Sequence, residues 1–131
     1  MAQSGKCIAK RTYFGTLQMP PILSVRFYRT IAGKEPVRAW LIGQVSPGAR
    51  KAIGADIKTA QFGWPIGMPV VRKMEPGLWE VRSNIPEGTA RVLFTVVEGN
   101  MVLLHGFVKK TQATPKADLA LAILRMKEVK A

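Results

Sequence analysis

The sequence is short of the groups that disulfides, structural metals and membrane spans need. Its 131 residues include one cysteine and one histidine. Cys7 therefore has no partner for an internal disulfide, and with His105 it falls short of the ligand set of a structural zinc site. No apolar run approaches the roughly 20 residues of a membrane helix. Lys6, Lys10 and Arg11 are followed by neither an apolar stretch nor a small-residue cleavage site, so a secretory signal is not expected and the cytoplasm is the compartment implied. Nothing in the residue inventory calls for a cofactor. Acidic residues are scarce too: 8 Asp and Glu stand against 20 Lys and Arg, a formal charge of +12 with a pI near 10.5. Such a field attracts polyanions, nucleic acid first among them, by neutralising phosphates and releasing counterions. It does not choose the kind of nucleic acid, and a merely well-solvated surface has the same composition.

Hydrophobic residues at 47% and charged residues at 21% are those of a chain that folds, and the length suits one core. Residues 1–21 show no period and end at Met19-Pro20-Pro21, so they read as an N-terminal arm, with 22–131 as one domain. Ile22 to Arg29 has strand-like β-branched and aromatic content. Pro36 at a first helical turn, with Val37, Trp40 and Leu41 at i, i+3 and i+4, predicts a short helix ending near Gly43. Ser46 as N-cap and Pro47 after it open a second helix, whose apolar stripe is Ala49, Ile53, Ile57 and Ala60. Lys51 and Lys58 share another face of that helix, toward phosphate or toward water. Val70 to Glu75 and Leu78 to Ile85 read as strands joined at Pro76-Gly77, and Thr89 to Val97 and Met101 to Lys109 as a hairpin turning at Glu98-Gly99-Asn100. Thr114 as N-cap, Pro115 and Asp118 open a last helix that packs through Leu119, Ala122, Ile123 and Met126. The expected class is α+β: a strand, a helical hairpin, a curved antiparallel sheet and a C-terminal helix.

Several short strings occur in one order along this chain: Phe62-Gly63-Trp64-Pro65, Val71-Arg72-Lys73, Glu75-Pro76-Gly77-Leu78-Trp79-Glu80-Val81-Arg82, Ala90-Arg91-Val92-Leu93-Phe94 and His105-Gly106-Phe107-Val108-Lys109-Lys110-Thr111. Together they resemble the phage-derived, HigB-type branch of the RelE/ParE toxin superfamily, from about Leu23 to the C-terminus. The resemblance implies a RelE-like fold and the toxin of a type II toxin–antitoxin system, held by a cognate antitoxin that is commonly a helix-turn-helix protein and that would set the oligomeric state. It further implies cleavage of mRNA on the ribosome, in which the RNA 2′-OH attacks the adjacent phosphate without a metal. That reaction needs a base for the 2′-OH, an acid for the leaving 5′-oxygen and cations for the phosphorane-like charge.

On this resemblance Arg91 takes the family's phosphate-binding position. Arg82 on the preceding strand is a second candidate, or else braces the sheet by pairing with Glu80 or Glu87. Lys109 and Lys110 end the last strand, where the superfamily places basic catalytic or RNA-contacting residues, and alternation sends them to opposite faces. Counting from the hairpin puts Lys109 on the side of Met101, Leu103, His105 and Phe107. His105, the one imidazole in the sequence, is either an acid–base group or a packed, hydrogen-bonded histidine. The sequence departs from the well-studied nucleases of the superfamily, having Leu78 and Glu80 where they carry lysines and no C-terminal tyrosine. A general base must then come from Lys51, Lys58, Arg72, Lys73 or His105. A non-enzymatic ParE-like toxin that binds gyrase or another protein, and an inactive RNA- or ribosome-binding remnant, are the competing functions.

Overall fold

The computed structural model describes residues 20–109 and 113–131, so Lys110 and residues 1–19 of the expected arm lie outside the described residues. The chain order is β1 (Ser24–Phe27), α1 (Pro36–Gly43), α2 (Pro47–Gly63), β2 (Val71–Glu75), β3 (Leu78–Ile85), β4 (Gly88–Val97), β5 (Asn100–Lys109) and α3 (Lys116–Lys130). The strands form one five-stranded sheet in the order β1-β5-β4-β3-β2. This is the α+β arrangement expected of a RelE-like fold. The sheet is mixed rather than wholly antiparallel, because β1 pairs parallel to β5 (Val25 opposite Met101). A parallel pair requires a long crossover, and the helices and strands between β1 and β5 supply it.

Local chemistry accounts for the elements. The Ser46 hydroxyl accepts the Ala49 backbone N–H at 3.3 Å, and Ala49, Ile53, Ile57 and Ala60 of α2 are all buried. The last carbonyls of α1 have no helical partners of their own. Arg50 answers part of that need: its Nε donates to Leu41 O at 2.7 Å and its Nη2 to Ile42 O at 3.2 Å, fastening α1 to α2. Between β4 and β5, Glu98 and Gly99 both have positive φ (49° and 77°), the type I′ geometry that matches strand twist.

The sheet separates two apolar layers. Against α1 and α2 lie Val81, Val92, Phe94, Met101 and Leu103, joined at the edge by Trp64 and Trp79. Against α3 lie Tyr28, Leu78, Leu93, Val102 and Leu104, covered by Leu119, Ala122, Ile123, Met126 and Val129. In β5 the register slips by one residue, with Leu93 opposite His105 but Phe94 opposite Leu103. Leu104 is the extra residue of that β-bulge, and Arg125 of α3 donates to its carbonyl at 2.8 Å. The bulge corrects the strand count made from sequence. Met101 and Leu103 face the helical hairpin, whereas His105, Phe107 and Lys109 face α3.

The far end of α3 is held by the Tyr28 hydroxyl, which donates to Glu128, with the Arg125 guanidinium 5.1 Å from the Tyr28 ring centroid. The bond to Glu128 raises the Tyr28 phenol above its ordinary 10.0; burial adds to this and Arg125 opposes it. The folded pKa exceeds the unfolded one, so this stabilisation is complete below pH 10.0 and is lost as pH rises through the folded value. Tyr28→Phe is accordingly expected to melt below the wild type at neutral pH, with the gap closing above pH 10 in paired thermal scans. Ile53, wholly buried in the hairpin-side core, is expected to cost about 2–5 kcal/mol on truncation to alanine, measured by chemical denaturation.

Candidate functional site

The α3-facing side of the sheet collects charge at the end of α3 where that helix begins. Register places Arg72 of β2 opposite Glu80 of β3, Arg82 of β3 opposite Arg91 of β4, and Arg91 opposite Phe107 of β5. Lys109 lies opposite Thr89 at the end of the same hairpin. The two-residue repeat of a strand keeps Glu80 and Arg82 on one side, so β2, β3 and β4 deliver Arg72, Arg82 and Arg91 around one carboxylate.

Glu80 and Arg91 are both fully buried, 0% exposed, with Glu80 Oε1 3.5 Å from Arg91 Nη1 and 3.7 Å from Arg82 Nε. Thr114, in the lead into α3, closes the arrangement. Its hydroxyl accepts from Arg91 Nη1 at 3.1 Å and donates to Glu80 Oε2 at 2.7 Å. Burial pushes the Arg91 guanidinium below its ordinary value; Arg82 and Arg72 push the same way, and Glu80 pushes back. Thr114 was expected to cap α3. Its hydroxyl is committed to the ion pair instead, the helix begins at Lys116, and its N-cap position is taken by Pro115 with no side-chain bond.

Beside this buried group stands a second polar pair. His105 Nε2 lies 2.6 Å from Asp118 Oδ1 in the first turn of α3, with the two side chains 18% and 27% exposed. The imidazole also stacks on Phe107 at 5.6 Å. A carboxylate on one ring nitrogen fixes the ring's orientation and leaves the other nitrogen for proton exchange, the arrangement that acid–base work requires.

The residues singled out in the sequence therefore divide. Arg72, Arg82, Arg91, His105 and Lys109 share the α3-facing side of the sheet. Arg91 lies beneath the surface rather than on it, so in this conformation its guanidinium meets a carboxylate and not solvent. Arg82 is paired with Glu80, which was one of its two expected roles, and keeps 16% of its side chain exposed. Lys73 falls on the other side of the sheet, in register with Trp79. Lys51 and Lys58 are exposed on α2, away from this group, with Lys58 Nζ 5.9 Å from the Phe62 ring centroid. Sequence reading missed Thr114 and Asp118 as members of the site and Glu80 as its centre. The alternation of Glu80 and Arg82 was visible, but only the strand pairing shows that Arg72 and Arg91 lie alongside them. Among the described residues, no group of three or more His, Cys, Asp or Glu is placed to hold a metal ion.

A mixed sheet carrying a helical hairpin on one side, and on the other a cationic polar cluster tucked under the start of a C-terminal helix, defines a small basic α+β protein of RelE-like architecture. The profile described as Phage derived protein Gp49-like (DUF891) matches residues 41–127, about two thirds of the chain, and this protein belongs to that family. The comparison with curated proteins returns no match.

The buried pair sets a clear expectation for stability. Glu80→Ala leaves Arg91 buried without its countercharge and is expected to cost about 3–5 kcal/mol, whereas Lys51→Ala on the exposed side of α2 should stay within about 0.5 kcal/mol of wild type. Urea titrations of the two variants test this, and equal small losses would show that Arg91 is not held by Glu80.

Proposed function

We propose that this protein is the toxin of a toxin–antitoxin pair and that it cleaves mRNA on the ribosome with the α3-facing side of its sheet. The observation that carries this reading is the gathering of Arg72, Arg82, His105 and Lys109 on one surface around the buried Arg91–Glu80 pair. The family's phage origin and the formal charge of +12 support it. In the reaction the RNA 2′-oxygen bonds to phosphorus as the bond to the 5′-oxygen breaks. The proton leaves the 2′-OH for a base, and another reaches the departing 5′-oxygen. His105, oriented by Asp118, is the group suited to one of these transfers. Arg72, Arg82 and Lys109 stabilise the extra negative charge on the phosphoryl oxygens. Arg91 is a positioning residue beneath them, since through Glu80 it fixes where Arg82 stands. The antitoxin partner is one that offers negative charge to this surface and to α3, which shields the cations from mRNA and the ribosome.

A second reading has its own observation. With Arg91 wholly buried, the guanidinium that the superfamily resemblance assigns to phosphate is not presented to it, which favours a toxin that binds a protein such as gyrase and performs no chemistry. Mapping transcript ends after incubation with ribosomes separates the two. The nuclease reading expects new 5′-ends, reduced on the order of a hundredfold by His105→Ala and strongly by Lys109→Ala. Arg91→Ala is a poor probe, because it empties a buried site beneath Arg82 and takes one of two guanidinium groups from the buried Glu80. Intact transcripts together with inhibited DNA supercoiling would replace the first reading with the second.

A further inference from the structure

On the opposite side of the sheet a cavity of about 460 Å³ opens between the α1–α2 connection and the end of the β3–β4–β5 hairpins. Its walls are Trp40, Gln44 and Ser46 from the helical side, Ile85 and Val108 from the sheet and Glu87 from the β3–β4 turn. The Trp40 ring lies directly on the backbone of Gly106, where any Cβ would come within 2.5 Å of two ring carbons. Glycine at this position thus lets the indole lie flat against β5 as one wall of the opening. Trp40 is only half buried, and Val108 is 37% exposed at the rim.

Neither the ion-pair group nor the His105–Asp118 pair uses this cavity, yet all three share a wall. Beyond the bulge, Phe107 and Lys109 turn toward α3, while Gly106 and Val108 turn toward Trp40. A single strand of nucleic acid crossing the end of the sheet meets Lys109 on one side and the cavity on the other.

We propose that the cavity receives an unpaired RNA base, cytosine before uracil, next to a phosphate held at Lys109; the inference rests on the RNA-directed reading above. Trp40 provides the planar surface on which a base stacks irrespective of sequence. Glu87 provides the choice, since a carboxylate accepts from the N4 amine of cytosine and repels the carbonyl that uracil presents at the same place. The same carboxylate keeps phosphate out of the cavity, so the backbone stays on the lysine side. The Gln44 amide is placed on the wall to donate to the remaining base carbonyl.

The test uses the full chain and three labelled ten-nucleotide probes of equal charge: oligocytidylate, oligouridylate and an abasic ribose-phosphate strand, compared by fluorescence anisotropy at one low salt concentration. Expected is tightest binding of the cytidylate, roughly tenfold over the uridylate, with the abasic strand weakest. Glu87→Gln should equalise the two base-bearing probes. Val108→Trp, which fills the rim of the cavity, should bring both down to the abasic level. Equal binding of all three probes would overturn the base site while leaving a backbone-binding surface intact. Uridylate matching cytidylate, with both above the abasic strand, would overturn the selection by Glu87. If no probe binds, the RNA-directed reading fails, and the base site with it.

Discussion

Taking a guanidinium out of water costs several kcal/mol unless charge and hydrogen bonds replace its hydration. In this protein Glu80 and Thr114 make that replacement for Arg91, and much else follows from it. Because the three residues come from β3, from β4 and from the lead into α3, the ion pair fixes the start of that helix against the sheet. The cost of Thr114's participation is visible in the helix itself, which begins without a side-chain cap. Since Arg82 shares the Glu80 carboxylate, this partly exposed cation stands where the buried one allows.

The bulge at Leu104 is the second constraint, and it decides which residues can act together. A strand turned by one residue presents its whole remaining length to the other side. Without the slip, His105, Phe107 and Lys109 would point into the hairpin-side core with Met101 and Leu103. With it, a histidine and a lysine join the arginines of three strands under the start of α3, and Asp118 can reach the imidazole. The same slip turns Gly106 and Val108 toward Trp40, so one backbone irregularity shapes both surfaces at the end of the sheet. The carbonyl of the bulged residue is bound by Arg125, so the irregularity is braced from the helix that profits from it.

The placement of these groups ties function to stability in a specific way. Arg91 and Glu80 contribute through mutual compensation in a buried setting, where removal of Glu80 takes the shared carboxylate from both Arg91 and Arg82. Arg82, His105 and Lys109 remain within reach of solvent and can meet a substrate without that penalty. Residues named alike in a sequence comparison, Arg82 and Arg91 among them, thus hold different positions in the energetics of the same site.

Much of the architecture was legible along the chain, because capping and turn chemistry act over a few residues. Ser46 before Pro47, Pro36 at the start of α1, the buried stripe from Ala49 to Ala60 and the Glu98-Gly99 turn each specify a local conformation without help from distant groups. Side-chain periodicity likewise told the core-facing residues of α3 from the others. What tertiary structure alone decided was the identity of neighbours: that Thr114 serves an ion pair rather than a cap, that Arg50 closes α1, that β1 runs parallel to β5, and that His105 stands on the side of Asp118. The physical reason is that these outcomes depend on strand register and on competition for partners among groups far apart in sequence, and neither leaves a mark in the spacing of residues along one segment.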